Sequence, residues 1–266
     1  MDILDAIIAN KRKELKIQKE SLSLVEMVKA TEKYMMSEPH KVISMSSSLL
    51  NSNSGIISEF KRKSPSKGWI KETGRVDSIP LSYSQNGASA ISILTDKEYF
   101  GGDVSYIATA RRSVISTPIL RKEFIIDEYQ IYESRLIGAD AILLIAADLD
   151  INTCKRLSSL AHEIGLEVLL EIHEEMELDY IGDNIDMVGV NNRNLGSFKT
   201  DVENSFNLAP LLPTDYVLVS ESGISSVSTV KDLRSVGFRG FLIGETFMRS
   251  QDPGYALKQF ITDIES

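Results

Sequence analysis

The sequence is short of the residues that build disulfides and metal centres. It has one cysteine, Cys154, and three histidines in 266 residues. A lone cysteine excludes an internal disulfide and a thiolate metal cluster, and it suits a reducing, cytoplasmic setting. The histidines, His40, His162 and His173, show no metal-ligand spacing. No metal is expected, and with no nucleotide motif in the chain the expected cofactor is none. Positive charge is also scarce: 29 Lys and Arg against 38 Asp and Glu give a net charge of −9. That argues against a general nucleic-acid binder, whose footprint is basic. It does not argue against a small anionic ligand, because a basic pocket can sit on an acidic protein. The chain has no run of about 18 apolar residues, so no transmembrane helix and no membrane partner are expected. The amphipathic N-terminus MDILDAIIANKRKELK lacks the apolar core of a signal peptide.

What is present is an ordinary globular composition, 42% hydrophobic and 25% charged. The length suits one large core, and α/β barrels of this size run as single domains. The pattern centres on Gly55 to Ile70, GIISEFKRKSPSKGWI. In a strand, residues two apart share a face, so a strand that buries Ile57 also turns Glu59 and Lys61 inward. Burying both charges is costly unless each finds a partner, which suggests a site. An exposed edge strand with a surface ion pair is the competing local reading. The basic turn RKSPSKG that follows is a plausible anion-binding loop.

Residues 1 to about 35 read as helix, with Ile3, Leu4, Ile7, Ile8 and Leu15 as the apolar stripe. Lys11, Arg12, Lys13 and Lys16 read as a solvated face, although the first turns are placed to cover the mouth of a site. Residues 36 to 54, polar and serine-rich, read as a connector. Strands follow at Ile56–Lys61, Ala88–Leu94, Pro118–Lys122, Ala141–Ala146, Glu167–Glu171, Met187–Asn191, Tyr216–Ser220 and Gly240–Gly244, each followed by a helical segment. Short continuous apolar runs between helices mean parallel strands covered on both faces. Eight such units predict an α/β fold, a (β/α)₈ TIM barrel with an N-terminal helical extension. The expected organisation is a single barrel domain over residues 1–266, with residues 1–54 as the extension. A doubly wound sheet is the alternative, but it normally carries a glycine-rich turn after its first strand, where this chain has KRKSPSKG.

Active sites of barrels lie at the C-terminal ends of the strands. At those ends stand Glu59 and Lys61, Lys122, Glu171, Asn191, and Glu221 with Ser222. Parity places Lys122 with Leu120, Glu171 with Leu169, Asn191 with Gly189 and Glu221 with Val219. Any one of these is as well explained as a solvated strand end. Five strands converging on one rim favour function. Two lysines and three glutamates in one pocket shift each other's pKa values and suit acid–base work on a small substrate. Gly223 and Gly244 close the seventh and eighth strands just before helical segments. Glycines there present backbone N–H groups to an anion, which suggests a phosphate.

The run IISEFKRKSPSKG resembles the signature of the indole-3-glycerol phosphate synthase family. PILRKEFIID, LEVLLEIH, VGVNNRNL, VSESGI and FLIGETFM resemble that family's strand ends in the same order, across essentially the whole chain. The resemblance implies a cofactor-free enzyme of tryptophan biosynthesis, a carboxy-lyase. Its substrate would be 1-(2-carboxyphenylamino)-1-deoxyribulose 5-phosphate, and its products indole-3-glycerol phosphate, carbon dioxide and water. It implies Lys122 as general acid and Glu171 as general base, and Lys61, with Glu59 beside it, as partner of the substrate carboxylate. Asn191 would orient the anthranilate part, and Arg193 would be a basic residue of the same loop. Glu221 and Ser222 would line the site. Ser64, Gly223 and Gly244 match phosphate-loop positions, while Glu245 stands where some relatives have serine. A monomer is expected.

Two rivals are weaker. A phosphoribosylanthranilate isomerase would carry an essential cysteine at the end of an early strand, and Cys154 falls in the helix after the fourth. A silent sugar-phosphate-binding regulator would have lost one or more of Lys61, Lys122 and Glu171, and all are present.

Overall fold

The computed structural model describes residues 3–37, 41–194 and 199–266. His40 and part of the connector lie outside them. Eight parallel strands form a closed barrel: β1 Ile56–Phe60, β2 Ala90–Leu94, β3 Ile119–Lys122, β4 Ala141–Ile145, β5 Glu167–Ile172, β6 Met187–Asn191, β7 Val217–Glu221 and β8 Gly240–Ile243. β1 pairs with β2 on one side and β8 on the other, so it is not an edge strand, and all five of its residues are buried. Lys61 lies one residue past its end. Between β5 and β6 the connection contains a 3₁₀ segment, Glu175–Tyr180, instead of an α-helix.

The strand parity expected from the sequence is realised. Ile57, Leu120, Leu169, Val219 and Leu242 fill the barrel interior with Ala90, Ala141 and Met187. The alternate residues, among them Ile91, Ile142, Val168 and Phe241, pack outward under the helices.

The N-terminal region departs from the sequence expectation in three ways. The first helix is two: α1 Ile3–Ser21 and α2 Leu24–Met36. Ser23 breaks them, because its side chain and that of Glu26 form a reciprocal capping box at the start of α2. The supposed connector contains a further helix, α3 Met45–Leu50, whose Met45 and Leu49 plug the bottom of the barrel interior. Its serines hide this helix in the sequence, because they are there for its N-terminus. Ser44 and Ser46 hydroxyls and the Met45 and Ser46 N–H groups all donate to the carboxylate of Glu167 at the start of β5. Finally, Lys11 is not on a solvated face. It is 5% exposed and packed against the barrel rim.

A second carboxylate, this one fully buried, secures the same end. Asp140, at the foot of β4, accepts from the backbone N–H groups of Ile43 (2.8 Å) and Ile119 (2.7 Å) and pairs with Arg111. Asp140→Ala is expected to lower stability by roughly 3–5 kcal/mol, as for removal of one partner of a buried pair. Urea unfolding checks this, and turnover of the folded fraction is expected to stay normal, because the site is at the other end.

Candidate active site

The C-terminal rim of the barrel encloses a cavity of about 430 Å³. Glu59, Lys61 and Ser64 reach it from β1 and its loop, Lys122 from β3, Glu171 from β5, and Asn191 and Arg193 from β6. Glu221, Ser222 and Gly223 come from the end of β7, and Gly244 from the end of β8. All eleven residues singled out in the sequence therefore face one space.

Five of them form an ion-pair cluster. Lys122 Nζ lies 2.6 Å from Glu171 Oε2 and 2.9 Å from Glu221 Oε2, and Lys61 pairs with Glu59. Glu171 Oε1 accepts from Asn191 Nδ2 at 2.9 Å. The register explains why these groups meet. Glu171 stands beside Gly189 across β5–β6, and Asn191 beside Glu221 across β6–β7. A Cβ on Gly189 would fall 2.3 Å from Glu221 Oε1, and one on Gly244 would fall 2.5 Å from Glu59 Oε1. These two glycines make the room that two buried carboxylates occupy.

The charges set one another's protonation. Burial alone would lower the Lys122 pKa, but Glu171, Glu221 and Glu59 outweigh it and raise the value above that of a free lysine. Burial would raise the Glu171 pKa, but Lys122, His173 and Asn191 hold it well below the usual carboxylate range. Burial pushes the Glu221 carboxyl up to about 7, with Lys122 opposing and Glu171 adding to the rise. At neutral pH the cluster thus offers a charged acid, Lys122, 2.6 Å from an ionised base, Glu171, beside a further carboxyl, Glu221, whose pKa burial raises.

The rest of the rim is suited to an anion. The basic turn forms a two-stranded hairpin, Lys63–Ser64 with Gly68–Trp69, beside the cavity. Arg193 Nη1 donates to Ser66 Oγ at 2.9 Å and ties the β6 loop to that hairpin. The buried Ser64 hydroxyl has no hydrogen-bond partner among the described residues. After β7 the chain takes two left-handed residues in succession, Ser222 (φ 69°) and Gly223 (φ 78°). Ser222 is the one non-glycine with positive φ among the described residues, and such strain is concentrated at ligand-binding turns. Asn192 holds this turn by donating from Nδ2 to the Ser222 carbonyl and Ser220 Oγ, both at 3.0 Å.

Three features were not anticipated. Gly189 was seen only as a parity partner. Asn192, given no role in the sequence reading, is 3% exposed and anchors the β7 turn. His173 was weighed only as a metal ligand. Its Nε2 lies 3.4 Å from Glu171 Oε1 and its Nδ1 3.7 Å from Glu177. Burial opposes its charge, but these two carboxylates raise its pKa to about 10. Parity held the signal for His173, which follows Glu171 by two.

A family model described as indole-3-glycerol phosphate synthase matches residues 4–260. The chain belongs to the indole-3-glycerol phosphate synthase family. A relative of that name from Bacteroides thetaiotaomicron is 56% identical over 264 residues, 99% of each chain. Another, from Aliarcobacter butzleri, is 46% identical over 93% of this chain and 94% of its own. Among solved structures, a mutant tryptophan synthase alpha-subunit from Pyrococcus furiosus superposes with a TM-score of 0.60 at 16% identity. It covers 80% of this chain and 98% of its own. KGPDC from Streptococcus mutans gives 0.59 at 15% identity, covering 79% and 98%. These two likenesses show the barrel fold. The indole-3-glycerol phosphate synthase segments quoted from the sequence fall at the strand ends that line the cavity.

Proposed function

We propose that Lys122 and Glu171 are the general acid and general base of the reaction that this enzyme carries out. That reaction is the conversion of 1-(2-carboxyphenylamino)-1-deoxyribulose 5-phosphate to indole-3-glycerol phosphate, carbon dioxide and water, a carboxy-lyase step of tryptophan biosynthesis. The observation that carries the assignment is the buried contact of Lys122 with both Glu171 and Glu221 on the cavity floor.

The chemistry suits the groups. In ring closure, the ring carbon that bears the carboxylate attacks the ketone carbon, and the ketone oxygen becomes basic. Lys122, kept charged by three carboxylates, stabilises that oxygen and gives it a proton. Loss of carbon dioxide then restores the aromatic ring. Dehydration removes a proton from the former sugar C1 and expels the hydroxyl as water. Glu171 takes the proton, and Lys122, recharged, assists the leaving hydroxyl. Lys61, steadied by Glu59, faces the substrate carboxylate. Asn191 and Arg193 orient the anthranilate part. Ser64, Gly223 and Gly244 receive the phosphate.

Glu245 bears on the phosphate end. It pairs with Lys67 (2.6 Å) and Arg249 (2.8 Å), which together outweigh burial and hold its pKa below the ordinary value. It adds a negative charge and occupies two cations beside the phosphate positions. Glu245→Ser is expected to lower KM by roughly fivefold at low salt, the effect of about 1 kcal/mol of exposed electrostatics. An increased KM would mean that Glu245 holds the Lys67 loop in its binding form.

The remaining assignments complete this picture: one barrel domain over residues 1–266 with residues 1–54 as extension, working as a monomer in the cytoplasm on an anionic sugar phosphate. Among the described residues no helix is long and apolar enough to cross a membrane. No role is assigned to a metal or cofactor, so dialysis against a chelator is expected to leave turnover unchanged. Activity lost on dialysis and restored by one divalent metal would contradict this. The assignment itself is tested by the Lys122 variant argued in the Discussion.

A further inference from the structure

One wall of the cavity does not belong to the barrel. Ile3, Leu4 and Ile7 of α1 line it. One turn beyond Ile7, on the same helix face, stands Lys11. A buried ammonium is costly unless it is paired. Lys11 Nζ lies 2.7 Å from Glu14 of its own helix and 3.1 Å from both Asp96 and Glu123. Burial alone would lower its pKa, and Glu123, Asp96 and Glu14 together outweigh burial and raise it.

The two barrel carboxylates are a fixed socket. Asp96 follows β2, and Glu123 directly follows Lys122 at the end of β3; both are buried. Thr95 Oγ1 and the Phe124 N–H donate to Glu123, and the Tyr99 N–H donates to Asp96. Glu123 also lines the cavity, whereas Lys11 does not. Lys11 therefore joins the helix that carries the apolar wall to the strand end that carries the proposed acid.

We propose that Lys11 is a positioning residue of the substrate site: its ion pairs with Asp96 and Glu123 hold Ile3, Leu4 and Ile7 of α1 over the cavity as the wall against which the substrate's aromatic ring packs. The part concerning the ring rests on the function proposed above; the latch between helix and barrel does not. Lys11 acts through the helix, so its loss weakens binding more than turnover.

The test is Lys11→Met in the full chain, which keeps the apolar stem and removes the cation that Asp96 and Glu123 share, leaving Glu123 with Arg121 at 3.9 Å. KM for the carboxyphenylamino-deoxyribulose phosphate is expected to rise by at least about tenfold while kcat falls by less than about threefold. Trypsin is expected to cut the exposed Arg12 and Lys13 of α1 faster than in the unmutated protein. A folded Lys11→Met protein with KM within about twofold of the original and an unchanged trypsin rate would overturn the proposal. If Lys11→Met does not fold, adding Asp96→Asn removes the charge that has lost its cation, since Glu123 keeps Arg121 at 3.9 Å. KM is expected to stay raised in that double variant, and a return to the original KM would reduce Lys11 to a stabilising role. If the unmutated protein fails to turn over this substrate, the functional assignment falls, while the trypsin comparison still decides the latch.

Discussion

Lys122→Met is expected to fold normally and to lose turnover by a factor of roughly 10² to 10⁴, the range for removal of a general acid. The substitution keeps the length and the apolar stem but removes the charge and the proton. Lys122 sits at a strand end on the cavity, so it contributes little to the core below. KM is expected to change modestly, because Lys61 and the Ser64, Gly223 and Gly244 positions still face the substrate's two anionic groups. Its absence also leaves Glu171 and Glu221 facing each other with His173, 3.4 Å from Glu171, as the cation that remains beside them. One of them then takes up a proton, so the pH dependence of residual turnover is expected to differ from that of the unmutated enzyme. Steady-state kinetics across pH on a variant checked by circular dichroism measures this. Near-normal kcat at saturating substrate would remove Lys122 from the chemistry, and a raised KM with kcat preserved would make it a binding residue.

Glu171→Gln is the second large effect. Glutamine keeps the shape and an oxygen for the hydrogen bond from Asn191 Nδ2, now 2.9 Å. It cannot take a proton. Turnover is expected to fall by about 10² to 10⁴, again the scale of one acid–base group. The effects of the two variants are expected to be less than additive, because Lys122 and Glu171 are a contact pair 2.6 Å apart. The step affected is also expected to differ. Lys122→Met slows ring closure, whereas Glu171→Gln slows dehydration and leaves closure comparatively fast. Rapid-quench sampling under single turnover separates them. An intermediate that has lost carbon dioxide but not water is expected to accumulate only in Glu171→Gln. Accumulation of the same species in Lys122→Met alone would exchange the two roles.

The barrel and its rim were legible because parallel strands are read by simple rules. Continuous apolar runs such as AILLI give buried strands, and parity then places every charged strand end on one side or the other. Glu59, Lys122, Glu171 and Glu221 were found this way, each breaking an apolar run on its inward face. The fold beneath was less legible. The run MSSSLL does not resemble a core helix, since half of it is serine. Its hydroxyls and N–H groups answer a carboxylate, Glu167, more than a hundred positions away in the chain. Lys11 was misassigned for the same reason. A lysine among Arg12, Lys13 and Lys16 belongs by pattern to a solvated face, and only the packing of α1 on the rim brings it to Asp96 and Glu123. Gly189 carries no local sign of its role, because the side chain it accommodates, Glu221, comes from the next strand. The order of the strands was visible, and the partners of individual charges were not, because partners are chosen across strands.

The most direct test of the central claim is to give the purified protein the synthetic carboxyphenylamino-deoxyribulose phosphate, without added metal or cofactor, and follow the ultraviolet signal of the indole ring together with released carbon dioxide. Equal amounts of indole-3-glycerol phosphate and carbon dioxide are expected, with both signals suppressed in Lys122→Met. Substrate left unchanged by the folded, unmutated protein, or turnover that Lys122→Met does not diminish, would contradict the claim that this rim of paired charges performs the ring closure.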